Sequence, residues 1–248
     1  MIDPNAKSVL VTDLDNTLWD WFYAWYESFS ALLDALVEAS KKTPRDVLIQ
    51  EIRKKIHQQR GTAEYSYLVG ELPSLIAAAG SHDPMTVFDS AIHAQNSKRK
   101  KKSTRLYPSV AETLTRLKQS GVTIIAYTES NAYWTEWRIR QTRLDGVIDV
   151  LYSAPDHDLP QGVTVEQLRK KLPASKYGLQ KTTHLHVPRG TLKPNAAVLE
   201  SILKRAEIHS TAGYLCRRQP DEGCDHGPKS RRSRRPCQVR RVPGKTGL

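Results

Sequence analysis

Ser8-Val9-Leu10-Val11-Thr12-Asp13-Leu14-Asp15-Asn16-Thr17 is the stretch that decides the fold. Its apolar run reads as a short buried strand of a parallel sheet. The run leads straight into Asp13 and Asp15, so carboxylates stand at the strand's C-terminal end, where open α/β sheets bind ligands. Thr17 adds a hydroxyl two residues on. Leaving an extended strand, these side chains can converge on one pocket. A carboxylate there can attack phosphorus and form an aspartyl phosphate, while a second trades protons with the leaving group and then with water. Two close negative charges also attract Mg²⁺, which neutralises an incoming phosphate. The competing reading is structural, with both acids capping the following helix through its positive N-terminal end.

Downstream, Trp21, Phe22, Trp25, Phe29, Leu32, Leu33, Leu36 and Val37 recur at three- and four-residue spacing and predict one amphipathic helix. Further helices are expected around Val47 to Ile56 and Tyr65 to Ala79, and after Asp83, an N-cap followed by Pro84. Residues 18 to about 105 therefore read as all helical. The basic run Lys98-Arg99-Lys100-Lys101-Lys102 closes that region and reads first as a solvated linker face, with nucleic-acid binding as the rival. Ser109 to Gln119 predicts a helix stopped by Gly121, and Val122 to Tyr127 a buried strand, so a parallel α/β layer resumes. A helix near Trp134 to Arg143, a strand at Val147 to Tyr152, a polar insertion over about 155–190 and a helix from Pro194 to Arg205 follow. His184 and His186 in that insertion have no partners at metal-site spacing.

The 248 residues suit one large α/β domain or a core domain with a smaller inserted one, and 39% hydrophobic with 26% charged residues excludes collagenous or wholly disordered classes. No window reaches the ~18 consecutive apolar residues of a membrane span. The N-terminus lacks the basic and apolar regions of a secretory signal, so a cytoplasmic location without membrane attachment is expected.

With Asp13-Leu14-Asp15-Asn16-Thr17 at the end of a strand, Ile124-Ile125-Ala126-Tyr127-Thr128 ending in a hydroxyl, and Lys193-Pro194-Asn195 at a helix start, the chain resembles the haloacid dehalogenase superfamily of Mg²⁺-dependent phosphatases and phosphotransferases. The resemblance spans residues 7 to about 214. It implies a three-layer, Rossmann-like α/β core with a mostly parallel sheet, formed by residues 1–17 and 106–214, and an inserted all-helical cap at 18–105. It makes Asp13 the nucleophile and a Mg²⁺ ligand, and Asp15 the general acid and base, which also gives its backbone carbonyl to the metal. Thr128 would bond a phosphoryl oxygen, and Lys193 would hold phosphate and nucleophile together. Thr17, Glu129, Ser130 and Trp19 are expected to line the substrate pocket, although the aromatic stretch Trp19 to Tyr26 also fits core packing. The implied substrate is a small phosphorylated metabolite, and an acid at Asp15 favours phosphate chemistry over dehalogenation. The sequence leaves the oligomeric state open.

Residues 215–248 depart from this pattern. They hold all three cysteines (Cys216, Cys224, Cys237) and ten Lys/Arg against three acids, or +7 of the chain's +12. The family's fourth motif, a strand ending in Gly-Asp with another Asp a few residues later, should stand here. Leu215-Cys216-Arg217-Arg218-Gln219-Pro220 stands there instead, with no expected strand. Codons permitted for Leu215 to Cys224, read one nucleotide later, give Tyr-Val-Gly-Asp-Ser-Leu-Met-Lys-Asp, which is the missing motif. The expectation is therefore a frameshifted, irregular and disordered tail in a chain with impaired activity. Asp221 and Asp225 have no setting that would replace the lost acids. The rivals are a basic arm of a non-catalytic nucleic-acid-binding protein and a zinc site, whose paired cysteine spacing is missing.

Overall fold

The apolar run becomes strand β1 (Val9–Thr12), with Val9 and Val11 buried. It pairs in parallel with β2 (Thr123–Asn131) on one side, Val9 level with Thr123 and Thr12 with Ala126. On its other side lies β5 (Gly213–Arg217), with Thr12 level with Cys216. Beyond β2 come β3 (Val150–Ala154) and β4 (Thr183–His186), both parallel, and β6 (Gln238–Arg241) runs antiparallel on β5. The order is β4-β3-β2-β1-β5-β6, so the strand bearing the two acids is central. This computed structural model describes residues 8–41, 43–62, 64–102, 105–156, 178–188, 190–206, 213–217 and 238–241.

Helices α8 (Val110–Gln119) and α9 (Ala132–Gln141) flank β2 in sequence, and α10 (Ala196–Arg205) precedes β5. Val9, Val11, Ile125, Tyr127 and Tyr152 form one core cluster with Ile202 of α10. Residues of the other parity, Ile124, Ala126 and Leu151, are fully buried too, so both sheet faces are covered. The result is a Rossmann-like α/β layer structure. Asn195 caps α10 by accepting the Val198 N–H at 3.0 Å.

Two expectations change here. The polar insertion contributes edge strand β4, while residues 157–177 lie outside the described ones. The tail is not wholly irregular, because Leu215–Arg217 complete β5 and Gln238–Arg241 form β6. The recruiting force is backbone pairing: a central strand needs partners for its N–H and C=O groups on both sides, whatever side chains the partner carries. The remaining tail residues, among them Asp221, Cys224, Asp225 and Cys237, lie outside the described residues.

The chain divides into two compact units, one of Met1–Trp19, Leu106–Asp156 and Ser175–Leu248, the other of Asp20–Arg105 and His157–Ala174. Every described element of Asp20–Arg105 is a helix. These are α1 (Trp21–Ser40), α2 (Arg45–Glu51) running through a π-helical turn (Ile52–His57) into α3 (Gln58–Arg60), α4 (Leu68–Glu71), α5 (Pro73–Ala79), α6 (Pro84–Val87) and α7 (Asp89–Lys102). Leu32, Leu36, Leu48, Leu72 and Leu75 are fully buried in its core. The single helix expected over Tyr65 to Ala79 is two, because Pro73 keeps Leu72 extended at ψ 119°. The basic run is the last turn of α7 rather than a linker. Arg99 is buried at 5% exposure, 3.9 Å from Glu64, which also accepts the Trp21 indole N–H at 3.1 Å.

Candidate active site

Past Thr12 the chain leaves the sheet in a tight turn, in which the Thr17 and Leu18 N–H groups donate to Leu14 O at 3.1 and 2.8 Å. Asn16 takes the left-handed conformation there, φ 56°, which a short polar side chain tolerates. The turn folds Thr17 back so that its hydroxyl donates to Asp13 Oδ2 at 3.1 Å. The other oxygen, Oδ1, accepts from Lys193 Nζ at 2.6 Å, across 180 residues of sequence. Lys193 Nζ also donates to Tyr127 O at 2.6 Å, and its backbone N–H donates to Glu129 Oε1. A chain end of β2 and the start of α10 are thereby brought to the nucleophile position.

Asp15 has its own set of donors. Its Oδ1 accepts the Trp19 indole N–H at 2.7 Å, and its Oδ2 faces the Ser130 and Thr128 hydroxyls at 2.5 and 3.4 Å. The Arg138 guanidinium on α9 lies 3.9 Å from Oδ1, with a side chain only 2% exposed. The structure thus brings together all eight residues singled out in sequence: Asp13, Asp15, Thr17, Trp19, Thr128, Glu129, Ser130 and Lys193. It gives several of them protein contacts: Thr17 touches Asp13, Trp19 and Ser130 touch Asp15, and Glu129 fastens the Lys193 backbone. Trp19 is fully buried. In the other unit, Phe22, Tyr23 and Tyr26 of the same aromatic stretch are exposed, while Trp21, Trp25 and Phe29 stack along α1.

Arg138 and Tyr127 escaped the sequence reading. Arg138 had a legible signal, since it shares the spacing of the buried residues Ala132, Thr135 and Ile139 on α9. A charged side chain on a buried helical face needs a partner, and Asp15 is one. A second hydrogen-bonded chain runs from Ser153 Oγ to His184 Nε2 at 2.8 Å and from His184 Nδ1 to Glu136 Oε1 at 2.6 Å. Ser153 is fully buried and donates to Ala154 O at 2.9 Å, so this chain ties α9 to β3 and β4 and presents no nucleophile.

Residues 7–177 match the haloacid dehalogenase-like hydrolases, and the chain belongs to that family. No curated protein matches it. Among solved structures it is similar to a 2-haloacid dehalogenase from Pseudomonas syringae pv. Tomato DC3000, at 21% identity over 84% of this chain and 76% of that one, TM-score 0.51. It is also similar to a predicted phosphoglycolate phosphatase from Haemophilus somnus 129PT, with 14% identity over 85% and 76% of the two chains and TM-score 0.41. A third is a haloacid dehalogenase-like family hydrolase from Xanthomonas campestris, with 9% identity over 83% and 71% and TM-score 0.44. At its identity the first of these likenesses speaks to the fold alone. The chain is a hydrolase of this family, and among its described residues no helix is long and apolar enough to cross a membrane.

Mg²⁺, which the family resemblance implies, takes six oxygen ligands, usually one or two carboxylates with substrate phosphate and water. In the arrangement the resemblance implies, Asp13 supplies a carboxylate and Asp15 its backbone carbonyl, and among the described residues no group of three or more His, Cys, Asp or Glu is placed to hold an ion. Strand β5, next to β1, ends in Cys216-Arg217 rather than in an acid. The described residues therefore do not by themselves fit a resident Mg²⁺ ion.

Proposed function

We propose that the chain is a phosphoric monoester hydrolase that passes the phosphoryl group of a small phosphorylated metabolite to Asp13 and then to water. The pairing of Asp13 with Lys193 at 2.6 Å, on the ligand-binding edge of the central strand, carries this reading. An Asp13 oxygen attacks phosphorus opposite the ester oxygen, the bond to the leaving group breaks, and an aspartyl phosphate forms. Asp15 gives a proton to the departing oxygen and takes one from the water that attacks the aspartyl phosphate. Lys193 offsets the repulsion between the anionic nucleophile and the anionic substrate. A departing halide takes no proton, so the acid at Asp15 favours phosphoryl transfer over dehalogenation.

Each step uses side chains of the chain itself, and without a third acid among the described residues turnover is expected to be weak. The test is hydrolysis of p-nitrophenyl phosphate by the full chain and by Asp13→Asn, each with added Mg²⁺ and with EDTA. Turnover that disappears in Asp13→Asn supports the reading. Equal rates in the two proteins refute it, and stimulation by Mg²⁺ would show that residues beyond the described ones complete a cation site.

A further inference from the structure

We infer that Tyr127 and Glu129 are positioning residues that hold the Lys193 ammonium on Asp13. A lysine side chain is a compact charge on a flexible four-carbon stem, and left alone it samples many rotamers. Two contacts restrict this side chain, and a third fixes the backbone it hangs from. The Tyr127 carbonyl accepts from Nζ at 2.6 Å, the Tyr127 ring lies 4.5 Å from Nζ at its centroid, and Glu129 Oε1 accepts the Lys193 backbone N–H. With the Lys193 side chain only 12% exposed, the attraction of ring for cation is little weakened by water.

The end of β2, where its pairing with β3 shifts register between Tyr127 and Asn131, divides these roles. Tyr127 and Glu129 serve Lys193, whereas Thr128 and Ser130 serve Asp15. One strand end therefore fixes the nucleophile's cation and the proton-transfer carboxylate at once. The Tyr127 hydroxyl takes no part. It is buried without a hydrogen-bond partner among the described residues, and burial, followed by the nearby Glu129 charge, pushes it above the ordinary tyrosine range. What the site uses is the aromatic face and the backbone carbonyl. A purely structural role is the alternative, since Tyr127 also packs against Val9, Val11 and Ile202.

The inference takes the catalytic use of Lys193 from the hydrolase reading, but its geometry is testable without turnover. Amine labelling of the full chain with trinitrobenzenesulfonate, read at Lys193 by mass spectrometry against exposed Lys54, reports how tightly the ammonium is held. Tyr127→Leu should raise relative labelling of Lys193 roughly fivefold, Tyr127→Phe should restore slow labelling, and the exposed change Glu129→Gln should raise it less. In p-nitrophenyl phosphate hydrolysis, Tyr127→Leu should lower kcat about tenfold while KM stays within about twofold, with rescue by Tyr127→Phe. Unchanged Lys193 labelling in both Tyr127→Leu and Glu129→Gln overturns the inference, and so does an equal rise at Lys118, which would signal general loosening. Absent turnover in the parent chain defeats the hydrolase reading instead, and the labelling still decides the positioning.

Discussion

Replacing Arg138 by Met tests whether the buried guanidinium is held in the core by Asp15. The two side chains are 2% and 17% exposed and their nearest charged atoms are 3.9 Å apart. Removing one partner of a buried ion pair costs ~3–5 kcal/mol, because the other charge is left without compensation. Here the cost should fall below that range. Asp15 keeps the donors of Trp19, Ser130 and Thr128, and the methionine refills much of the volume with apolar atoms. A loss of about 2–3 kcal/mol follows, and with about 2–4 °C of Tm per kcal/mol for a chain of this size, Tm should drop by roughly 4–12 °C. Thermal and urea unfolding of the parent, Arg138→Met, Asp15→Asn and the double variant complete a cycle. Because Asp15→Asn removes the charge that Arg138 would otherwise leave uncompensated, the second substitution should cost less than the first, with a coupling of at least about 1 kcal/mol. A change within about 0.5 kcal/mol for Arg138→Met, with additive effects in the cycle, would refute the pairing.

Asp145 should make the core sensitive to acid. Burial pushes its carboxyl up, but the backbone N–H groups of Gln180, Thr182 and Lys181, at 2.8, 2.9 and 3.0 Å, outweigh burial and hold it below the usual carboxylate range. Its contribution to stability is therefore present above the unfolded value near ~4 and lost as pH falls through the lower folded value. Urea midpoints between neutral pH and that acid region should fall less steeply for Asp145→Asn than for the parent. Gly146→Ala should destabilise by about 1–2 kcal/mol, because Gly146 sits at φ 89° and a Cβ there would lie 2.8 Å from Lys181 Cδ; an unchanged Tm would contradict this. Glu51→Ala should cost about 1 kcal/mol in urea unfolding by uncapping α5, since Glu51 accepts from the Ser74 N–H and, at 2.7 Å, from its hydroxyl.

The parts of the fold that were legible are those where side-chain pattern and backbone agree. An apolar run ending in acids gave a central strand, and three- and four-residue spacing gave α1, because in each case burial of one kind of surface dictates the element. Pairing partners were less legible. Thr183–His186 is polar and Leu215–Arg217 basic, yet both lie in the sheet because strands exchange backbone groups. At the site, motif order placed Asp13, Asp15, Thr128 and Lys193 together. It could not show that Glu129 would turn to a backbone amide or that Arg138 would reach Asp15, because both contacts depend on where α9 and the Lys193 loop are packed.

That packing gives the tail a definite meaning at the site. Thr12 is level with Cys216 in the β1–β5 ladder, so the next positions along the two strands are Asp13 and Arg217, followed on the tail side by Arg218. In the shifted reading of the codons those two tail positions become Gly and Asp. An acid following glycine at the end of the strand paired with β1 would supply the third carboxylate missing from the described residues. Restoring the frame from Leu215 should therefore create Mg²⁺ binding rather than only improve folding. Isothermal titration with Mg²⁺ should give no saturable heat for the chain with its arginine tail. The frame-restored chain should give one saturable site, and Asp13→Asn should abolish it. Saturable binding of equal strength to both chains, or a gene whose codons cannot be read in the shifted frame, would break the link between the tail and the lost cation site.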